Sequence, residues 1–247
     1  MAGHSKWANI KRRKGAQDAK RGKLFTKLIK EIMVAAKMGG GDLDANPRLR
    51  LAVDKAKANS MPKDNIARAI AKGSGELGGD NVEEFNMEGY GPGGVAVLVE
   101  VMTDNRNRTA AVVRHAFSRC SGNLGTTGCV SYMFHRKGML LFGDVDEDEL
   151  MMAALDAGAE DLCREDDVFE VTTDPAEFMA VKDGLAEAGF STDEAELTYV
   201  PDNRLDIEGD NAETFLKMID LLEDLDDVQS VHHNADISDD ELARILG

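Results

Sequence analysis

The residues best placed to act on a partner stand at the N-terminus, where Lys6, Trp7, Lys11, Arg12, Arg13 and Lys14 fall within nine positions. Cations at this density contact phosphates and displace their counterions, and an indole among them can stack on an unpaired base. The bland alternative is a solvated tail with Trp7 pinned to a helical bundle. Lys20, Arg21, Lys23, Lys27, Lys30 and Lys37 continue the charge. At about 100° per residue, Lys20, Lys23, Lys27, Lys30 and Lys37 gather in an arc of roughly 100°. Phe25, Leu28, Ile29, Ile32 and Ala36 share the other side. The spacing therefore predicts an amphipathic helix over about 17–37, with an apolar face for a core and a lysine stripe facing away from it.

Two further segments are candidates for secondary contact. Glu88–Gly94 (EGYGPGG) is rich in glycine, but it precedes a predicted strand and carries Pro92. A dinucleotide loop follows a strand and opens a helix. A rigid turn presenting Tyr90 at a surface fits better. In Thr103–Thr109 (TDNRNRT), Asp104 or Asn105 can cap a helix, while Arg106 and Arg108 sit near its positive end. That placement is electrostatically awkward. It calls for an anion, either a nucleic-acid phosphate or an acidic side chain elsewhere in the chain.

Catalytic and metal-binding patterns are not legible. Asp144–Asp148 begins like a calcium loop, yet Glu149 stands where glycine is required and Leu155 where the final glutamate belongs. Helix capping explains these acids better. Adjacent His232 and His233 point to opposite faces of any strand. No Ser-His-Asp, Cys-His or paired-carboxylate set stands out, so no catalytic residue, metal or cofactor is assigned. A non-enzymatic role is expected, with an enzyme as the remotest reading.

Around these residues the elements fall into a pattern. Gly39–Gly41 ends the first helix, Asn46 and Pro47 open a second, and Pro62 opens a third that carries Ile66 and Ile70 and stops near Gly73. Three short helices make a small bundle. A glycine-rich hinge is expected over 73–80. Beyond it the pattern predicts a strand at 95–102, a helix at 107–120 and a strand at 130–134. Residues 139–199 read as β-α-β-β-α-β, the order of a ferredoxin-like unit. A strand at 204–207, a helix at 211–225 and a strand at 228–232 follow. The expected fold is α+β: an N-terminal helical bundle followed by two ferredoxin-like α/β domains, one inserted in the other. The domains would be 1–75, then 80–136 with 203–247, and the inserted 137–202.

Charge is segregated along this plan. Residues 1–75 hold 18 Lys and Arg against 6 Asp and Glu, residues 76–138 hold 6 against 7, and residues 139–247 hold 5 against 33. The surplus of 12 positive charges in the first part, inside a chain of net charge −17, points to polyanion binding by that part. The acidic part either keeps the protein soluble or turns the basic end toward its target. No stretch reaches the ~20 apolar residues of a membrane helix, and the charged start is no secretory signal, so a cytoplasmic protein without a membrane partner is expected. Cys120, Cys129 and Cys163 are odd in number and lack CxxC spacing, which predicts free thiols.

These residues resemble the YebC/PmpR family, which includes mitochondrial translational activators. The resemblance is carried by Met1–Trp7, Gly15–Thr26, Gly39–Asp42 with Asn46–Leu49, Glu88–Gly94, Thr103–Thr109, Gly122–Gly125 and Asp226–Gln229. It spans the chain, with Ser121 departing from an expected glycine and Cys129 from an expected serine. It implies a three-domain, non-enzymatic regulator of gene expression whose helical N-terminal domain binds nucleic acid. Two targets follow: DNA, for a transcriptional regulator, or ribosomal RNA with the ribosome as partner, for a translation factor. Distributed lysines without a legible helix-turn-helix lean toward backbone contact and RNA. A scaffold with only non-specific nucleic-acid affinity is the alternative, and no small-molecule substrate is expected.

Overall fold

The computed structural model describes residues 17–78, 82–165 and 168–246, and these divide into two compact units. The expected helical and middle domains share one unit, residues 17–131 with 205–246, while residues 132–204 form the other.

The larger unit opens with three helices, α1 (Gln17–Gly39), α2 (Pro47–Ala58) and α3 (Lys63–Gly73). Asn46 is the joint between the first two. Its Oδ1 accepts from Leu49 N at 3.0 Å, capping α2, while its Nδ2 donates to Ala35 O and Gly40 O, each at 2.8 Å, closing the end of α1. One buried amide thus satisfies backbone groups of two helix ends. The core contains Leu28, Ile32, Leu49, Val53, Ala56, Ile66 and Ala69, with Val82 and Met102 joining from beyond the bundle. Burial on α1 exceeds the expected stripe, since every residue from Ile32 to Ala36 is buried.

The remainder of this unit is a four-stranded sheet under two helices. β1 (Glu83–Tyr90) and β2 (Ala96–Thr103) form an antiparallel hairpin, followed by α4 (Arg106–Arg119) and the short β3 (Asn123–Leu124). In the smaller unit come β4 (Phe134–Gly143), α5 (Glu147–Ala157), β5 (Asp161–Glu165), β6 (Val168–Thr173), α6 (Phe178–Glu187) and β7 (Glu194–Pro201). The chain then returns to the larger unit as β8 (Leu205–Asp206), α7 (Gly209–Glu223), β9 (Val228–His233), β10 (Ala235–Asp236) and α8 (Asp239–Leu246).

The smaller unit has the β-α-β-β-α-β order expected of it. Its all-antiparallel sheet runs β5-β6-β4-β7, the ferredoxin-like arrangement. Leu140, Phe142, Leu150, Val171, Phe178, Val181 and Leu185 fill its core.

The other sheet corrects the expectation in its connections. Its order is β3-β1-β2-β9. That is the spatial layout of a ferredoxin-like sheet, but one inner position is taken by β1, which precedes β2 in the chain. Residues 130–134 do not form the expected strand: Ser131–Met133 is a 3-10 turn and Phe134 begins β4 of the other unit. The expected strand at 204–207 is reduced to β8, which pairs with β10 outside the main sheet. β1 carries no strand signature in the sequence because Glu83, Glu84, Asn86 and Glu88 interrupt its apolar residues. Its pairing partners, not its own hydrophobicity, make it a strand.

Candidate nucleic-acid interface

Lys6, Trp7, Lys11, Arg12, Arg13 and Lys14 lie outside the described residues, as do the side chains of Lys20 and Arg21. The rest of the lysine stripe lies on protein. Lys23 Nζ donates to Asp224 O at 3.2 Å and pairs with Asp224 Oδ1 at 2.7 Å. Lys27 Nζ donates to Glu223 O at 2.8 Å, and Lys30 Nζ to Asp226 O at 2.9 Å and to Asp227 Oδ1. Three ammonium groups, spaced along one face of α1, therefore cover the C-terminal end of α7, where carbonyls lack helical partners and the dipole is negative, and the turn that follows it. Lys37 Nζ donates to Val82 O at 3.3 Å. The stripe expected to lie opposite the apolar face thus meets other parts of the protein's own chain. α1 has neighbours on more than one side: its apolar face enters the bundle core, and its lysines reach residues 223–227.

Arg106 and Arg108 find partners nearby. The Arg106 guanidinium lies 4.1 Å from the centre of the Phe85 ring, a cation–π contact. Arg108 Nη2 donates to Asp104 Oδ1 at 2.7 Å and to Asp227 Oδ2 at 3.0 Å. Asn105 caps α4 by accepting from Arg108 N at 3.0 Å. Of the two anions the sequence left open, an acidic neighbour is in place.

Asp227 is the centre of this cluster. Its side chain is 13% exposed and takes Lys30 on one oxygen, with Arg108 and Thr109 on the other. Thr109 Oγ1 lies 2.7 Å from Asp227 Oδ2 and 2.9 Å from Thr103 Oγ1. Burial alone would raise the carboxyl pKa, but the hydrogen bonds from Lys30, Thr109 and Arg108 outweigh it and bring it down to about 2. The position follows from β9: a register shift between Glu100 and Val101 lets Met102 N reach Asp227 O at 2.9 Å. The resemblance marked the Asp226–Gln229 run without assigning it a role. Arg48 makes a second tie, joining Glu31 of α1 at 2.9 Å and Glu84 of β1 at 2.7 Å.

The EGYGPGG segment is architectural. Buried Glu88 accepts from Gly128 N, Val130 N and Ser131 N at 2.8–2.9 Å, which orders the turn that leads out of the unit. Burial opposes ionisation here, yet these backbone donors hold the carboxyl below its usual range. A side chain at Gly89 would strike Asn123 O and the Phe117 ring. Tyr90 is 39% exposed, and its hydroxyl donates to Cys129 O at 3.1 Å.

Cations do reach the surface elsewhere in the bundle. Lys55, Lys57, Lys63, Arg68 and Lys72 on α2 and α3 are exposed. Beside α3 is a cleft of about 750 Å³, whose lining includes Ile29, Met33, Arg68, Lys72, Val112 and Asp226. No group of three or more His, Cys, Asp or Glu residues is placed to hold a metal among the described residues, and Cys120, Cys129 and Cys163 are free thiols. No helix among the described residues is long and apolar enough to cross a membrane.

Fold and site together define a class: an α+β protein of several domains in which a basic helical bundle is tied by ion pairs to an antiparallel sheet. The chain belongs to the TACO1/YebC family, matching its N-terminal domain over residues 5–76 and its second and third domains over residues 82–235. It is 63% identical over the full length of both chains to a protein of Syntrophotalea carbinolica named "Probable transcriptional regulatory protein". A similarly named protein of Idiomarina loihiensis is 59% identical over 99% of each chain. The crystal structure of a conserved hypothetical protein from Aquifex aeolicus matches with a TM-score of 0.84 at 47% identity, covering 92% of this chain and 95% of that one.

Proposed function

We propose that this chain is a non-enzymatic regulator of gene expression that binds nucleic acid through the phosphate backbone, using its basic N-terminal third. The observation that carries this reading is the surplus of 12 positive charges in residues 1–75 of a chain whose net charge is −17. The contact set comprises Lys6, Trp7, Lys11, Arg12, Arg13, Lys14, Lys20 and Arg21, extended by the exposed Lys55, Lys57, Lys63, Arg68 and Lys72. Lys23, Lys27 and Lys30 hold the bundle to α7 and contribute to the field rather than to direct contact. Arg106, Arg108 and Tyr90 serve the architecture.

The names of the relatives favour DNA and transcription. Distributed lysines suited to backbone contact favour structured RNA, the ribosome included. Sedimentation of the endogenous protein in gently prepared lysate separates the two. Co-migration with ribosomes that high salt releases supports a role in translation. Recovery with genomic DNA at discrete sites, and absence from ribosomes, supports transcription. Recovery with neither overturns the reading. In vitro, replacing Lys11, Arg12, Arg13 and Lys14 by glutamine should reduce the salt slope of binding by about one per lost phosphate contact.

A further inference from the structure

The cleft beside α3 joins two cations of that surface to apolar and acidic groups that backbone contact does not use. Its apolar lining comes from Ile29 and Met33 of α1, Ala69 of α3, Val112 of α4 and Leu225 beyond α7. Arg68 and Lys72 of α3, one helical turn apart, add positive charge. Arg68 is exposed; it donates to Asp64 O at 3.2 Å and Asn65 Oδ1 at 2.7 Å, and has no carboxylate partner among the described residues. The turn between α7 and β9 adds Asp226, exposed, whose carboxylate likewise has no partner among the described residues. Every other acid in the lining is engaged, Asp104 by Arg108 and Asp227 by Lys30, Thr109 and Arg108.

A complementary ligand has an anionic group for Arg68, a flat body of low polarity for the aliphatic lining, and N–H donors for Asp226. The volume, about 750 Å³, is within the range of sites that enclose one small organic molecule. We infer that the cleft receives one guanine nucleotide unit, its phosphate on Arg68, its base between Ile29, Met33 and Val112, and its N1–H and N2–H groups on the Asp226 carboxylate. Guanine is singled out because it alone among the common bases presents two adjacent N–H donors to one carboxylate, while uracil offers one and adenine and cytosine offer an amine beside an acceptor. The unit is either an unstacked nucleotide of a single strand, which rests on the nucleic-acid reading above, or a free nucleotide, which does not.

The test uses the full-length protein and three probes: GMP, UUGUU and UUUUU, titrated by calorimetry or anisotropy at low salt. UUGUU should bind about tenfold more tightly than UUUUU. Asp226→Asn should level that difference, Arg68→Gln should weaken both oligomers, and Val112→Trp, which fills the cleft from an exposed helix position, should remove the preference. Circular dichroism confirms that each variant is folded, and Asp226→Asn decides the matter if Val112→Trp is not. GMP binding that depends on Asp226 and is as tight as UUGUU assigns the site to free nucleotide; tighter UUGUU binding assigns it to a strand. Oligomer binding that ignores the guanine and all three substitutions overturns the cleft and leaves the basic surface standing. GMP binding without any oligomer binding does the reverse. No binding of any probe overturns both.

Discussion

Asp227 shows how one side chain governs an assembly through its charge state. Lys30, Arg108 and Thr109 converge on it from two helices, and its pKa falls to about 2 from an ordinary 3.8. A folded-state pKa below the unfolded value stabilises the protein above pH ~4, and that contribution is lost as the pH falls toward 2. The shift corresponds to about 2 kcal/mol. Asp227→Asn should therefore lower the urea midpoint at pH 7 and flatten its dependence on pH between about 5 and 2; an unchanged acid limb would place the acid-labile tie elsewhere. The two departures from the family pattern also become legible. Ser121, where glycine is expected, has a φ of 55°, a left-handed conformation that glycine adopts without strain. Cys129, where serine is expected, packs against Gly125, at which an added Cβ would come within 2.6 Å of its Sγ.

At the scale of elements, α1 changes its meaning between sequence and structure. As an isolated helix it has a core side and a lysine side, and the lysine side faces a polyanion. In the fold, the C-terminal end of α7 and the turn after it supply the negative groups, as carbonyls that accept from the lysines with Asp224 and Asp227 beside them. Replacing Lys23, Lys27 and Lys30 together by glutamine should thus destabilise the larger unit by about 2–4 kcal/mol, since the charge-assisted hydrogen bonds of three ammonium groups are lost, those of half-exposed Lys23 being the weaker. Thermal denaturation checks this. A triple variant as stable as the parent but impaired in nucleic-acid binding would return the stripe to the surface. The cap that Asn46 gives α2 is legible in the sequence, because Asn-Pro before an apolar-periodic run has one favoured reading. Its second role, closing α1, depended on where the loop brings Gly40 and Ala35.

At the scale of the whole molecule, charge is segregated along the chain, and the proposed function rests on that segregation. Residues 139–247 carry 33 acids against 5 bases, so phosphate is repelled from that part while the first 75 residues attract it. Converting Glu147, Asp148 and Glu149 at the start of α5 to glutamine should strengthen binding to random duplex about twofold at low salt, with the effect fading at high salt as screening shortens the field. An unchanged affinity would leave the acids with solubility alone.

The sequence by itself determined the helices of the bundle, the β-α-β-β-α-β order of the smaller unit and the segregation of charge. Each is written in local periodicity, capping residues or simple counts, which need no knowledge of distant neighbours. Only the tertiary structure decided that Glu83–Tyr90 is an inner strand, that residues 130–134 are a turn leading into β4, and that Glu88 is held by backbone donors 40–43 residues away. It also decided that Lys30 spends its charge on an aspartate 197 residues further along the chain. Strand pairing and charge pairing are contacts between distant segments, and a polar strand or a cationic stripe reads the same whether its complement is the protein's own backbone or another molecule.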